Sequence, residues 1–327
     1  MKALISSFSS HLKEALEIGN SANLASASNQ INNVLISGLG GSGIGGTIAS
    51  QLLEKEADIP INVNKDYFIP KYVNDKTLVI ISSYSGNTEE TLSAMSQAIK
   101  QNAEVVCITS GGEVLNIAKT RGLNHIIIPG GMPPRACLGY SLTQLFFVLN
   151  HYGIVGAEFK TQIKSGISLL ESEEDDIMQK ALELSGSMVG KTPIIYTSAA
   201  YEGVGIRLRQ QLNENSKMLC WHQVFPEMNH NELVGWKSGD DSLAVLILRN
   251  KSDFSRTQKR IETCKEIFSK YTSTIIEVYS KGNSEIERTL YLIHLGDWLS
   301  WFLSEKNQVD AMEIEVINYL KSELSKI

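Results

Sequence analysis

Short apolar runs and amphipathic stretches alternate along almost the whole chain. The first amphipathic stretch covers about 4–25, where Leu4, Phe8, Leu12, Leu16 and Ile18 fall at roughly helical spacing. The run Val34-Leu35-Ile36-Ser37 then breaks into a glycine-rich turn from Gly38 to Gly46, and helical periodicity resumes over Thr47 to Leu53. Strand, glycine turn and helix in that order open a doubly wound sheet. The pattern repeats. Leu78 to Ile81 reads as a buried strand, Ser82 to Thr88 as a turn and Glu89 to Ile99 as a helix. Val105 to Ile108 leads into a short helix near 114–118, His125 to Ile128 ends at Pro129, and an apolar helix covers about 141–150.

Beyond His151 the alternation restarts. The segment His151 to Gly156 is the expected boundary, dividing the chain into domains 1–153 and 154–327. An acidic helix carrying Glu171, Glu173, Glu174, Asp175 and Asp176 reads as a solvated face. Pro193 to Ser198, Ser242 to Leu248 and Ser273 to Tyr279 read as strands. Helices are expected over 201–212, 256–271, 285–302 and 314–325. Every expected strand is an apolar run, not an alternating one, which favours parallel sheets covered on both faces. The fold class is therefore α/β, and two halves of similar order suggest duplication of one domain type.

Totals narrow the function classes. A chain of 327 residues is comfortable for two domains, and 43% apolar with 20% charged residues is ordinary for a globular protein. A net charge of −6 argues against a general nucleic-acid surface and a polybasic membrane contact, while leaving room for a local anion pocket. Cys107, Cys137, Cys220 and Cys264 are scattered, without metal-ligand spacing, and suit a reduced cytoplasmic setting. No stretch approaches a membrane span, and the opening residues are too short an apolar run for a signal peptide.

Four stretches carry candidate chemistry. Gly38, Gly40 and Gly43 spell G-x-G-x-x-G, a dinucleotide fingerprint or simply a tight turn. Glu54, Glu56 and Asp58 come too early for the ribose contact that a dinucleotide needs. Ser82, Ser83, Ser85 and Thr88 place four hydroxyls just ahead of a helix. A cap uses one hydroxyl, so the cluster points to phosphate held by hydroxyls and helix N–H groups. Arg135, fixed behind Pro133 and Pro134, is either a surface cation or a guanidinium aimed at a developing oxyanion. Glu214 and His230, separate but close in sequence, suit a general base and a proton shuttle. Spacing alone does not choose His230 over His222; the Asn229-His230-Asn231-Glu232 context favours His230.

The segment Ser82-Ser83-Tyr84-Ser85-Gly86-Asn87-Thr88-Glu89-Glu90-Thr91 closely resembles the phosphosugar-binding signature of sugar isomerase (SIS) domains. Gly130-Gly131-Met132-Pro133-Pro134-Arg135, Asn213 to Lys217, and Pro226 to Glu232 resemble the narrower bifunctional phosphoglucose/phosphomannose isomerase family. The resemblance runs from about Val34 to the C-terminal helix. It implies two SIS domains, each a flavodoxin-like parallel sheet flanked by helices. It also implies a homodimer with shared active sites and sugar phosphates as ligands, with no metal or other cofactor. By motif match, Gly41, Ser42, Gly43, Ser83, Ser85 and Thr88 would hold the phosphate. Glu214 would move a proton between C1 and C2, Arg135 would stabilise the enediolate, and His230 would open the ring. Lys321 is the match to the family's C-terminal lysine. One departure concerns a threonine that the family places near that lysine and links to mannose 6-phosphate, because this chain has no threonine after Thr289. The competing class is a non-catalytic SIS module that senses a sugar phosphate.

Overall fold

The computed structural model describes residues 1–326 and contains nine strands and twelve α-helices among them. In chain order they begin α1 (Lys2–Ser6), α2 (Phe8–Ser21), β1 (Asn33–Ser37), α3 (Gly40–Leu52), β2 (Ile61–Asn64), β3 (Thr77–Ser82) and α4 (Glu89–Lys100). Next come β4 (Glu104–Thr109), α5 (Gly112–Arg121), β5 (Asn124–Ile127), α6 (Leu138–His151) and α7 (Glu158–Met188). The chain continues with β6 (Thr192–Ser198), α8 (Glu202–Glu214), β7 (Trp221–Phe225), α9 (Glu232–Gly235) and β8 (Leu243–Arg249). It ends with α10 (Ser255–Phe268), β9 (Ile275–Tyr279), α11 (Glu285–Lys306) and α12 (Glu315–Leu324). These elements form two compact units. The N-terminal unit holds 6–172 with 281–291; the C-terminal unit holds 173–280 and 292–326 with the first five residues.

The N-terminal unit is built on a five-stranded sheet of order β2-β1-β3-β4-β5, parallel throughout. That is the flavodoxin-like order. Its strands are apolar because both faces are covered. On one face Val79, Ile81, Val105 and Cys107 pack with Met95 and Ala98 of α4 and with Val114 and Ala118 of α5. Helix α6 is buried continuously from Leu138 to Leu149, which explains why it lacks a polar face. The C-terminal unit repeats the topology with one strand fewer, in the order β7-β6-β8-β9 and again all parallel. Its core includes Tyr196 stacked on Phe268 at 5.3 Å between ring centroids, with Trp236 against the same Phe268 at 4.4 Å. Aromatic pairs at such distances add to the gain from area burial.

Two strands and one helix start differ from the sequence reading. Neither β2, Ile61-Asn62-Val63-Asn64, nor β7, Trp221 to Phe225, was expected. Both are edge strands, half-exposed and carrying polar residues, so neither shows the apolar run that marks a central strand. Helix α3 begins at Gly40, so most of the glycine run expected as a turn is helical.

Candidate functional site

In the N-terminal sheet the chain reverses its direction of progress between β1 and β3, and ligands of such sheets bind beyond the strand C-termini at that point. The loop after β1 and the loop after β3 meet there. A Cβ on Gly38 would lie 2.5 Å from the Ser82 carbonyl oxygen, so only glycine permits the approach. Ser42, in the first turn of α3, accepts a hydrogen bond from the Tyr84 N–H at 3.1 Å and ties the two loops together. Gly43 packs on the Gly38 carbonyl, where a Cβ would stand 2.3 Å away.

Within the serine loop, the buried Ser83 hydroxyl donates to Thr88 Oγ1 at 3.3 Å, and the exposed Ser85 Oγ accepts from the Asn87 N–H at 3.3 Å. Thr88 occupies the N-cap position of α4 without capping it through its side chain. The Thr88 side chain therefore leaves the first-turn N–H groups of α4 uncapped. Gly86 and Gly112 sit at positive φ, +69° each, in loops that interlock: a Cβ on Gly86 would fall 1.8 Å from the Gly111 carbonyl oxygen. One on Gly112 would fall 2.3 Å from that of Ser85.

Arg135 stands in a 3-10 turn, Pro134–Ala136, and is only 3% exposed. A Cβ on Gly41 would lie 2.8 Å from the Pro134 carbonyl oxygen, which places the Arg135 turn directly against the start of α3. Tyr84, from the serine loop, accepts the Met132 N–H on its phenol oxygen at 3.1 Å. Burial pushes the Tyr84 hydroxyl up to about 12, so it stays protonated. Gly41, Ser42, Gly43, Ser83, Ser85, Thr88 and Arg135 are thus brought to one edge of one sheet.

In the C-terminal unit, Glu214 is the last residue of α8 and is half-buried. The helix is held to α11 along its length. Arg207 pairs with the buried Asp297 at 2.9 Å, Gln211 Nε2 donates to the same carboxylate at 2.8 Å, and Asn215 Nδ2 donates to Ser300 Oγ at 2.9 Å. Lys217 adopts φ +55°, unusual for a side chain of its size. Its ammonium donates to the carbonyl oxygens of Glu214 at 2.7 Å, Asp310 at 2.9 Å and Glu313 at 2.7 Å. Glu214 opens onto a pocket of about 320 Å³ lined also by Met218, Leu219, Ile314 and Ile317.

His230 ends a 3-10 turn, is exposed, and makes no side-chain hydrogen bond among the described residues. Its loop is anchored by Glu232, which accepts from Tyr196 Oη at 2.5 Å and Trp221 Nε1 at 3.2 Å. His222 lies on β7 with Nε2 3.6 Å from Glu202 Oε1; burial, with the nearby Arg209 charge, lowers its pKa. Lys321 is exposed in the last turn of α12.

Glu214 and His230 do not meet. Helix α8 runs back from the end of β6 towards the edge where the strands begin, and its 13 residues span about 20 Å. His230 follows the opposite end of β7, beyond Phe225. Sequence reasoning overlooked Tyr84 and Asp297. Tyr84 lies inside the quoted serine motif, whereas nothing in the sequence marks Asp297.

Among the described residues no group of His, Cys, Asp and Glu side chains could hold a metal ion, and no helix is long and apolar enough to cross a membrane. A family model for the SIS domain matches residues 29–149, and one for the bacterial phospho-glucose isomerase C-terminal SIS domain matches 177–324. A bifunctional phosphoglucose/phosphomannose isomerase from Caldicellulosiruptor bescii is 36% identical over 97% of this chain and 96% of its own. Its counterpart from Aquifex aeolicus is 35% identical over 90% of each chain. Among solved structures, the C-terminal domain of glucosamine-fructose-6-phosphate aminotransferase from Francisella tularensis aligns with a TM-score of 0.76. That alignment covers 94% of this chain and 96% of that one at 14% identity, a likeness of fold.

Proposed function

The chain belongs to the bifunctional phosphoglucose/phosphomannose isomerase family, and on that premise we propose that it interconverts glucose 6-phosphate with fructose 6-phosphate, and mannose 6-phosphate with the same ketose. The observation that carries this reading is the crevice between β1 and β3. Hydroxyls and an uncapped helix N-terminus suit a phosphate there, and a buried guanidinium stands at the same sheet edge. Glu214 takes the C2 proton of the aldose and returns it to C1, through a cis-enediol(ate) whose oxygen charge Arg135 offsets. Gly41, Ser42, Gly43, Ser83, Ser85 and Thr88 hold the phosphate. Lys321 supplies a further cation, and His230 exchanges the ring-oxygen proton on opening. The phosphate-binding function is assigned to residues 1–153, and the base and ring-opening residues to 154–327.

The separation of Glu214 and His230 favours a homodimer in which one chain's base works with the partner's histidine. Exposed apolar groups on α12, among them Val316, Tyr319 and Leu320, suit coverage by a second copy. The acidic charge balance and the reduced cysteines fit a cytoplasmic enzyme acting on small sugar phosphates.

The test is incubation with fructose 6-phosphate in EDTA, with both aldose products resolved by NMR. Glucose 6-phosphate and mannose 6-phosphate together are the expected result. Glucose 6-phosphate alone would mean that the segment without threonine narrowed the enzyme to one epimer. Binding without either product would make the protein a sugar-phosphate sensor.

A further inference from the structure

We infer that Tyr84 is a positioning residue that sets the Arg135 turn from within the phosphate loop, so that one residue registers the two halves of the site. The inference rests on the role given to Arg135 above.

The main chain of Tyr84 belongs to the phosphate cradle. Its N–H donates to Ser42 Oγ at 3.1 Å, and its carbonyl accepts from the Ser110 N–H at 3.0 Å and the Ser110 hydroxyl at 2.6 Å. Its side chain belongs to the other half. The phenol oxygen accepts the Met132 N–H at 3.1 Å, and the nearby Cys137 thiol adds to the burial that raises the Tyr84 pKa. Met132 and Cys137 lie three residues before and two residues after Arg135, so the phenol and the thiol beside it bracket the turn that carries the guanidinium. The thiol in turn reaches the Pro133 carbonyl oxygen at 3.5 Å, at the residue that caps the start of that turn. The phenol is buried, so water does not readily replace the Met132 bond when the hydroxyl is removed.

A phosphate bound to the serine loop thereby fixes the distance from its anchor to the cation that meets the enediolate. Loss of the hydroxyl leaves the aromatic packing and the main-chain bonds of the cradle in place but frees the Arg135 turn to shift. Misplacement of a catalytic group by about 1 Å can cost on the order of 100-fold in rate.

The experiment compares Tyr84→Phe, Arg135→Ala and the double variant of the full-length protein, reading kcat and KM for fructose 6-phosphate and the inhibition constant of inorganic phosphate. Tyr84→Phe is expected to lower kcat by about tenfold or more while the phosphate constant moves by less than about twofold, the signature of a lost transition-state contact. Added to Arg135→Ala, it should cost less than about twofold further, because the hydroxyl acts through the guanidinium. Unchanged kcat in Tyr84→Phe, or losses that multiply in the double variant, would overturn the coupling while leaving Arg135 in its role. Unchanged kcat in Arg135→Ala would remove that role itself, and the coupling with it. Should Tyr84→Phe not fold, Cys137→Ala removes one arm of the bracket and carries the same expectation at about two- to threefold. No change in kcat there would overturn the proposal.

Discussion

Both sheets place their first and third strands side by side, β1 with β3 and β6 with β8, yet their crevices hold different things. Between β1 and β3 the strand ends give way to glycines, hydroxyls and the uncapped start of α4. Between β6 and β8 a carboxylate of the chain itself fills the corresponding place. Asp253 Oδ1 accepts from the Ser198 hydroxyl at 2.8 Å, and its Oδ2 accepts from the Asn250 N–H at 2.9 Å. A hydroxyl at one strand end and a main-chain N–H beyond the other are what an anion asks for, and here they are already satisfied. Two sheets of like order thus differ at the same place: one leaves a helix start uncapped, while the other sets a carboxylate of its own chain across the strand ends.

The largest expected effect tests that division at the C-terminal unit. Glu214→Gln should lower kcat about a thousandfold, within the range for general-base catalysis, with KM for fructose 6-phosphate within about tenfold of the parent. Mixed and re-associated with His230→Ala, it should regain activity at about a quarter of the sites if two-fold symmetric dimers share residues as proposed. Near-normal turnover in Glu214→Gln would break the comparison outright. A smaller effect belongs to the N-terminal crevice. Replacing Ser85 and Thr88 by alanine together should weaken inorganic phosphate binding by about tenfold or more, since each hydrogen bond to a charged group contributes roughly 1.5–3 kcal/mol. Asp253→Asn should leave phosphate affinity unchanged, and calorimetry of the parent should give one phosphate per chain. Two sites per chain would show both crevices open.

The smallest effects compare backbones. Gly86→Ala should cost more than about 1 kcal/mol in stability, because its φ is positive and the added carbon meets a carbonyl oxygen. Gly186, inside α7 with open space around it, should gain up to about 1 kcal/mol when changed to alanine. Thermal unfolding of both variants reads the difference. A neutral Gly86→Ala would mean that the serine loop is looser than its contacts imply.

The same contrast governs what the sequence disclosed. Central strands such as β3 and β8 were legible because burial on both faces demands unbroken apolar runs. The edge strands β2 and β7 escaped because a half-wet edge accepts asparagine, glutamine and histidine, and the residues that pair them lie elsewhere in the chain. The helical start at Gly40 was hidden because glycine opposes helix on propensity, and tertiary approach to Ser82 and Pro134 overrides it. The serine loop announced itself as a dense local motif. Tyr84 did not, since its partner Met132 lies about fifty residues away and only the folded chain brings them together. Lys217 was visible as a residue, but its three carbonyl partners were not.

The interlocked glycines also bear on how this protein can change over generations. Gly86 and Gly112 each face the other's loop across a gap that admits no added carbon, so neither position can be varied alone without displacing both loops. Change is easier at the exposed Ser85 and Asn87 side chains, which stand at the rim of the same loop. The backbone of the crevice is thus more tightly constrained than its rim.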